Sequence, residues 1–120
     1  MIAARTKHLD ETVLEFVKRN QRCNIVNIGS GYDARFWRLN VQEADVFEMD
    51  LPIMLAERRR IFAYDKRPKM HCIPIDLRTS SIADTLALQP SFNPSIATLV
   101  IWEGGSMYFD RQDAESIFSS

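Results

Sequence analysis

Ile28-Gly29-Ser30-Gly31-Tyr32-Asp33-Ala34 is the segment of this chain with the clearest capacity for ligand chemistry. It follows an apolar run and precedes a helical stretch, Ala34 to Leu39. Its glycines permit a tight turn that a ligand can approach closely. The spacing fits the looser dinucleotide pattern G-x-G-x-x-A, which alone is also the mark of a turn that merely connects. Three acids accompany it. Asp50 follows the apolar run Asp45-Val46-Phe47-Glu48-Met49, about 20 residues beyond Gly29, where a carboxylate can accept both hydroxyls of a ribose. Asp76 ends Met70-His71-Cys72-Ile73-Pro74-Ile75, and Glu103 ends Ala97-Thr98-Leu99-Val100-Ile101-Trp102. One acid at the end of an apolar run is ordinary; three beside a Gly-x-Gly turn form a constellation.

The elements that must position these groups follow from the same pattern. Asn24 to Ile28 and the three runs just named have the usual length of a strand. Amphipathic stretches lie between them: Pro52 to Phe62, with proline in the first turn, and Ser80 to Leu88, with a serine start. Gln89 to Ser95 reads as a loop. Before the first strand, Leu9, Val13, Phe16 and Val17 share one face of a helix over Thr6 to Lys18, expected to lie over the open end of the sheet. Such alternation predicts an α/β fold, a parallel sheet flanked by helices. Ligands of open parallel sheets bind beyond the carboxyl ends of the strands, where each strand here delivers its turn or its acid. Asp110 is placed to cap a final helix that begins with Asp113, Ala114, Ile117 and Phe118. That pattern is expected to continue past Ser120, so the fold is read as truncated after its fourth strand.

Asp33 narrows the ligand. A dinucleotide would bring its pyrophosphate to the helix start, against this carboxylate. The turn therefore favours a nucleoside without phosphates, such as S-adenosylmethionine. Asp50 would then accept from ribose and Asp76 from the adenine amine, with the Leu77 backbone serving a ring nitrogen. Glu103 would pair with the ligand ammonium. Its carboxylate calls for a cation, and Arg5 offers a bidentate guanidinium, with Arg35, Arg38 and Arg78 as alternatives.

Composition bounds the rest. The chain has 120 residues, enough for about one domain, and its hydrophobic content of 46% suits a packed core. A net charge of −1 gives no electrostatic reason to expect nucleic acid or an anionic membrane, and no apolar run approaches membrane-spanning length. Cys23 and Cys72 lack metal or redox spacing, and no secretory pattern is visible; both point to a cytoplasmic setting. His8 and His71 have no companion at ligand spacing, so no metal is expected. Arg58-Arg59-Arg60 reads as the wet side of a helix, and Phe36, Trp37 and Phe47 as core. Trp102, Met107 and Tyr108 either border the site or pack.

Ile25 through Leu39, containing Ile28-Gly29-Ser30-Gly31-Tyr32-Asp33, resembles the first motif of the leucine carboxyl methyltransferase-like family of S-adenosylmethionine-dependent methyltransferases. Phe47-Glu48-Met49-Asp50-Leu51-Pro52 resembles its second motif. Asp76-Leu77-Arg78 and Glu103-Gly104-Gly105-Ser106-Met107-Tyr108 resemble the third and fourth, and Ala4-Arg5-Thr6 its upstream arginine element. The sequence departs from the family at Ala34, where threonine is usual, and at Gly105, where a bulkier apolar residue is common. The resemblance implies a Rossmann-like class I methyltransferase fold, with residues 1–120 as the N-terminal, cofactor-binding part of a single domain. It implies S-adenosylmethionine held by Arg5, Gly29, Gly31, Asp50, Asp76, Leu77 and Glu103, and methyl transfer to a carboxylate or hydroxyl of a small molecule or protein. No catalytic residue is assigned, and the 120 residues are expected to bind without turning over. Two other readings compete: a nicotinamide-binding oxidoreductase fragment, and a non-catalytic module whose exposed fourth strand pairs with another chain.

Overall fold

Cys23–Ile28 (β1), Ala44–Asp50 (β2), Met70–Pro74 (β3) and Thr98–Trp102 (β4) form parallel pairs, joined by a fifth strand, Gly105–Phe109 (β5), in the order β3-β2-β1-β4-β5. The structure is a computed structural model that describes residues 2–102 and 105–118, with side chains over 7–102, 105–113 and 116–117. The central strands are rich in apolar residues because both of their faces are covered, although β1 also buries Asn24 and Asn27 and β2 buries Glu48. Side chains alternate between faces: Ile25 and Val46 go to one core, Val26 and Phe47 to the other. β3 is an edge strand, which is where Pro74, lacking an N–H for a ladder, is tolerated.

Helices supply the outer layers. Ile2–Arg19 (α1) lays Val13 and Phe16 on the first core, together with Phe36 from Arg35–Arg38 (α2), a single turn. Pro52–Ile61 (α3) buries Leu55 and Arg58, and a short 3-10 turn over Tyr64–Lys66 follows it. On the second core Ile82–Ala87 (α4) contributes Leu86. The Ser81 hydroxyl accepts from the Asp84 N–H at 3.0 Å, the capping bond that starts this helix. Arg111–Phe118 (α5) packs beside α4, with the Asp110 carboxylate accepting from the Asp113 N–H at 2.9 Å.

Five strands, mostly parallel and flanked by helices, make the expected Rossmann-like α/β arrangement. The sheet does not stop at its fourth strand, however. β5 lies antiparallel on β4, with Trp102 opposite Gly105 and Thr98 opposite Phe109. β4 is thus an interior strand and offers no free edge for pairing with another chain. In sequence, β5 mixes glycine, serine and aromatic residues, and most of it stays exposed, so no apolar periodicity announced it. α2 is also shorter than expected, because Leu39 already has extended backbone.

Cys23 and Cys72 are free thiols. Burial, aided by the nearby Asp45 carboxylate, pushes the Cys23 thiol up to about 12, which suits a reduced packing residue. No helix among the described residues is long and apolar enough to cross a membrane.

Phe47 is fully buried, edge-on to Phe92 at 5.5 Å and stacked against His71 at 4.8 Å. Phe47→Ala is expected to cost about 3–5 kcal/mol, the usual range for deleting a buried ring. Urea unfolding checks this: the midpoint should fall with the slope unchanged.

Candidate functional site

The chain adds β2 and β3 on one side of β1, then returns to place β4 on the other. That reversal puts the switch point beside β1, and the turn following β1 lies at the carboxyl end of the sheet, where such folds bind ligands. The Gly29 N–H donates to the Met49 carbonyl at 2.8 Å, carrying the β1–β2 ladder one step past the strand. Gly29 and Gly31 then take φ of +66° and +49°, the left-handed region that a side chain resists. A Cβ at Gly29 would meet nothing within 4 Å, so its backbone faces open space.

Asp50 clasps this turn. Its Oδ2 accepts from the Gly31 N–H at 2.8 Å and its Oδ1 from the Leu51 N–H at 2.7 Å. The carboxylate is half-buried and keeps spare lone pairs, since each oxygen has two. Gly29, Asp50, Asp76 and Leu77 all line one hollow of about 240 Å³, with Ile28, Met49, Leu51 and Ile75 as its apolar walls. Residues dispersed over three strands thus meet in one place, and Gly31 sits directly behind Asp50. Asp76 holds Arg78 through three contacts: Oδ1 accepts from the Arg78 N–H and Nε at 3.0 Å each, and Oδ2 from Nη2 at 2.8 Å. Hydrogen bonds from the Arg78 side chain and backbone hold the Asp76 carboxyl down at about 2. Glu103 lies outside the described residues, as does the side chain of Arg5, whose backbone belongs to α1.

The arginine alternatives to Arg5 are all engaged. Arg78 serves Asp76. Arg35 is buried and joins Asp10 of α1, at 2.8 Å, to Asp33, at 3.0 Å, while Arg38 reaches Asp10 at 2.9 Å. Asp33 therefore faces its own helix start: Oδ1 accepts from the Arg35 N–H at 2.9 Å, and Oδ2 also takes the Asn27 amide at 3.3 Å. Its charge is balanced by Arg35, so repulsion of a pyrophosphate is weaker than the sequence suggested.

Beneath the turn lies a group that the sequence reading placed in solvent. Arg58 is fully buried, the largest such side chain among the described residues. Its Nη1 donates to the carbonyls of Gly31 and Asp33, both at 2.8 Å. Nε donates to the Tyr64 hydroxyl at 3.1 Å, and Nη2 pairs with the fully buried Glu48, which also accepts from Tyr64. Burial opposes the Arg58 charge, but Glu48 and Tyr64 outweigh it and hold the guanidinium above its ordinary value. Arg59 and Arg60 are exposed as expected. One local signal could have separated them: Arg58 stands three residues after the inward-facing Leu55, on the same helix stripe.

Two outcomes are expected. Because the folded pKa of Asp76 is depressed, the contribution of its pairing with Arg78 is present above the ordinary value of 3.8 and is lost as pH falls through about 2. A carboxyl NMR titration should give Asp76 a midpoint near 2, returned to the ordinary range by Arg78→Ala. Asp10→Ala, which strips the buried Arg35 of one partner, should lower unfolding free energy by about 1.5–3 kcal/mol in denaturant titration.

A family model described as leucine carboxyl methyltransferase matches residues 1–120, the whole of the sequence. That family comprises methyltransferases using S-adenosylmethionine, in agreement with the sheet and with the placement of the glycine turn. The chain belongs to the leucine carboxyl methyltransferase family.

Proposed function

We propose that this chain forms the cofactor-holding part of an S-adenosylmethionine-dependent O-methyltransferase. The observation that carries this reading is the hollow outside the strand ends that Gly29, Asp50, Asp76 and Leu77 share. Its volume of about 240 Å³ is below the roughly 300–1,000 Å³ of sites for whole drug-sized ligands, so it suits the nucleoside part of a cofactor. The donor set fits such a group: carboxylates for hydroxyls and an amine, apolar walls for a ring, and glycine backbone open to close approach.

In this reading Asp50 accepts from the ribose hydroxyls with the lone pairs that Gly31 and Leu51 leave free. Asp76 accepts from the adenine amine and the Leu77 N–H serves a ring nitrogen, while the Leu51 and Leu77 side chains flank the base. Arg5 holds the ligand carboxylate and Glu103 its ammonium. When bound, S-adenosylmethionine supplies an electrophilic methyl group, so the protein's task is to orient rather than to activate it. A carboxylate acceptor needs no proton removed, whereas a hydroxyl acceptor needs a general base. The acceptor, small molecule or protein, is presented from outside the strand ends.

Calorimetry tests this directly. The 120-residue chain should bind S-adenosylhomocysteine, and Asp50→Ala should weaken that binding about 10- to 100-fold, the worth of hydrogen bonds to a charged group. Binding of NAD with no heat from S-adenosylhomocysteine would overturn the reading in favour of a nicotinamide enzyme.

A further inference from the structure

We propose that Arg58 is a positioning residue for the cofactor, holding the glycine turn from beneath in the one conformation that lets the Gly31 N–H reach Asp50. This inference rests on the reading that the hollow beside Asp50 takes the cofactor.

The argument begins with what the turn lacks. Gly31 has φ +49°, and the chain from Gly31 to Asp33 belongs to no ladder. Its inward carbonyls, of Gly31 and Asp33, both receive Arg58 Nη1 at 2.8 Å. On the other side of the same residue, the Gly31 N–H is given to Asp50 Oδ2 at 2.8 Å. Gly31 is therefore gripped twice, by a cation on its carbonyl and by a carboxylate on its amide. The carboxylate is the one that lines the hollow. Arg58 does not line it, so it acts through the turn and not on a ligand.

A guanidinium suits this place for a geometric reason. Nη1 serves the two turn carbonyls, Nη2 serves Glu48, and Nε serves Tyr64. That is four acceptors in three directions, all from one rigid plane. A lysine would keep the charge beside Glu48, but its three donors sit on a single flexible tip and cannot reproduce the fork. Glu48 sits fully buried on β2, so the cation is also anchored to the strand that carries Asp50. One side chain thus spans the turn and the strand that carries Asp50.

Amide hydrogen exchange of the ligand-free chain, followed by calorimetry with S-adenosylhomocysteine, tests the proposal on Arg58→Lys and Tyr64→Phe. Tyr64→Phe removes two hydrogen bonds of the same network, to Arg58 and to Glu48, without touching the turn. In Arg58→Lys the Gly31 amide should exchange at least tenfold faster relative to Val26 in β1, and S-adenosylhomocysteine should bind about tenfold more weakly. In Tyr64→Phe the ratio of Gly31 to Val26 exchange and the affinity should stay at their original values, even with stability lowered. If Arg58→Lys leaves the exchange ratio unchanged, or if Tyr64→Phe raises it equally, the proposal is overturned and Arg58 serves only the core. Should Arg58→Lys not fold, the pair Arg58→Gln with Glu48→Gln, which buries no unpaired charge, is read against the same expectations. A parent chain that binds no S-adenosylhomocysteine would defeat the proposed function, while the exchange ratio would still decide whether Arg58 holds the turn.

Discussion

A single buried cation bridges the glycine turn and the strand beside it. Arg58 and Glu48 have no exposed side-chain surface, and both were withdrawn from water at a cost that Coulomb attraction alone need not repay. An apolar pair of similar volume could serve stability as well. What an apolar pair cannot do is donate to the backbone carbonyls of Gly31 and Asp33. The value of the charge pair therefore lies in directionality: it donates to a loop segment that has no ladder of its own.

The turn is approached from above by a second arginine. Arg35 links Asp33 to Asp10, and so ties the first helix to the same few residues that Arg58 holds from below. These two ties differ in exposure. The Arg58 cluster is sealed, whereas Asp10 also serves the exposed Arg38. The arrangement leaves the carboxylates of Asp50 and Asp76 as the acids open toward the hollow, each oriented by a neighbouring donor. Acids at the ends of two neighbouring strands keep their spacing only if those ends do not shift. The parallel register of β1 with β2 and β2 with β3 provides that constancy.

Much of this was legible in the amino-acid order. The four parallel strands, the amphipathic face of α1 and the glycine turn are local patterns, each recorded in the period or composition of a few consecutive residues, whereas α3 exposes Ile53 and Ile61 and buries Arg58, against its apolar pattern. The acids Asp50 and Asp76 could be placed because a strand's end is itself a local feature. Family resemblance added the order of the motifs along the chain.

What the order of residues determined by itself is therefore the inventory of elements and the groups at their ends, because backbone propensity and side-chain alternation act over a handful of positions. The tertiary structure alone decided which charges are partners. Asp33 could have faced a ligand but faces Arg35; Arg58 could have joined its two neighbours in water but turned under the loop; Gly105–Phe109 could have been a loop but completed the sheet on β4. Each of these outcomes depends on a partner many positions away. An ionised side chain carries no periodic signature of the acceptor it will meet, and a short, exposed strand gains its hydrogen bonds only once its neighbour is already in place.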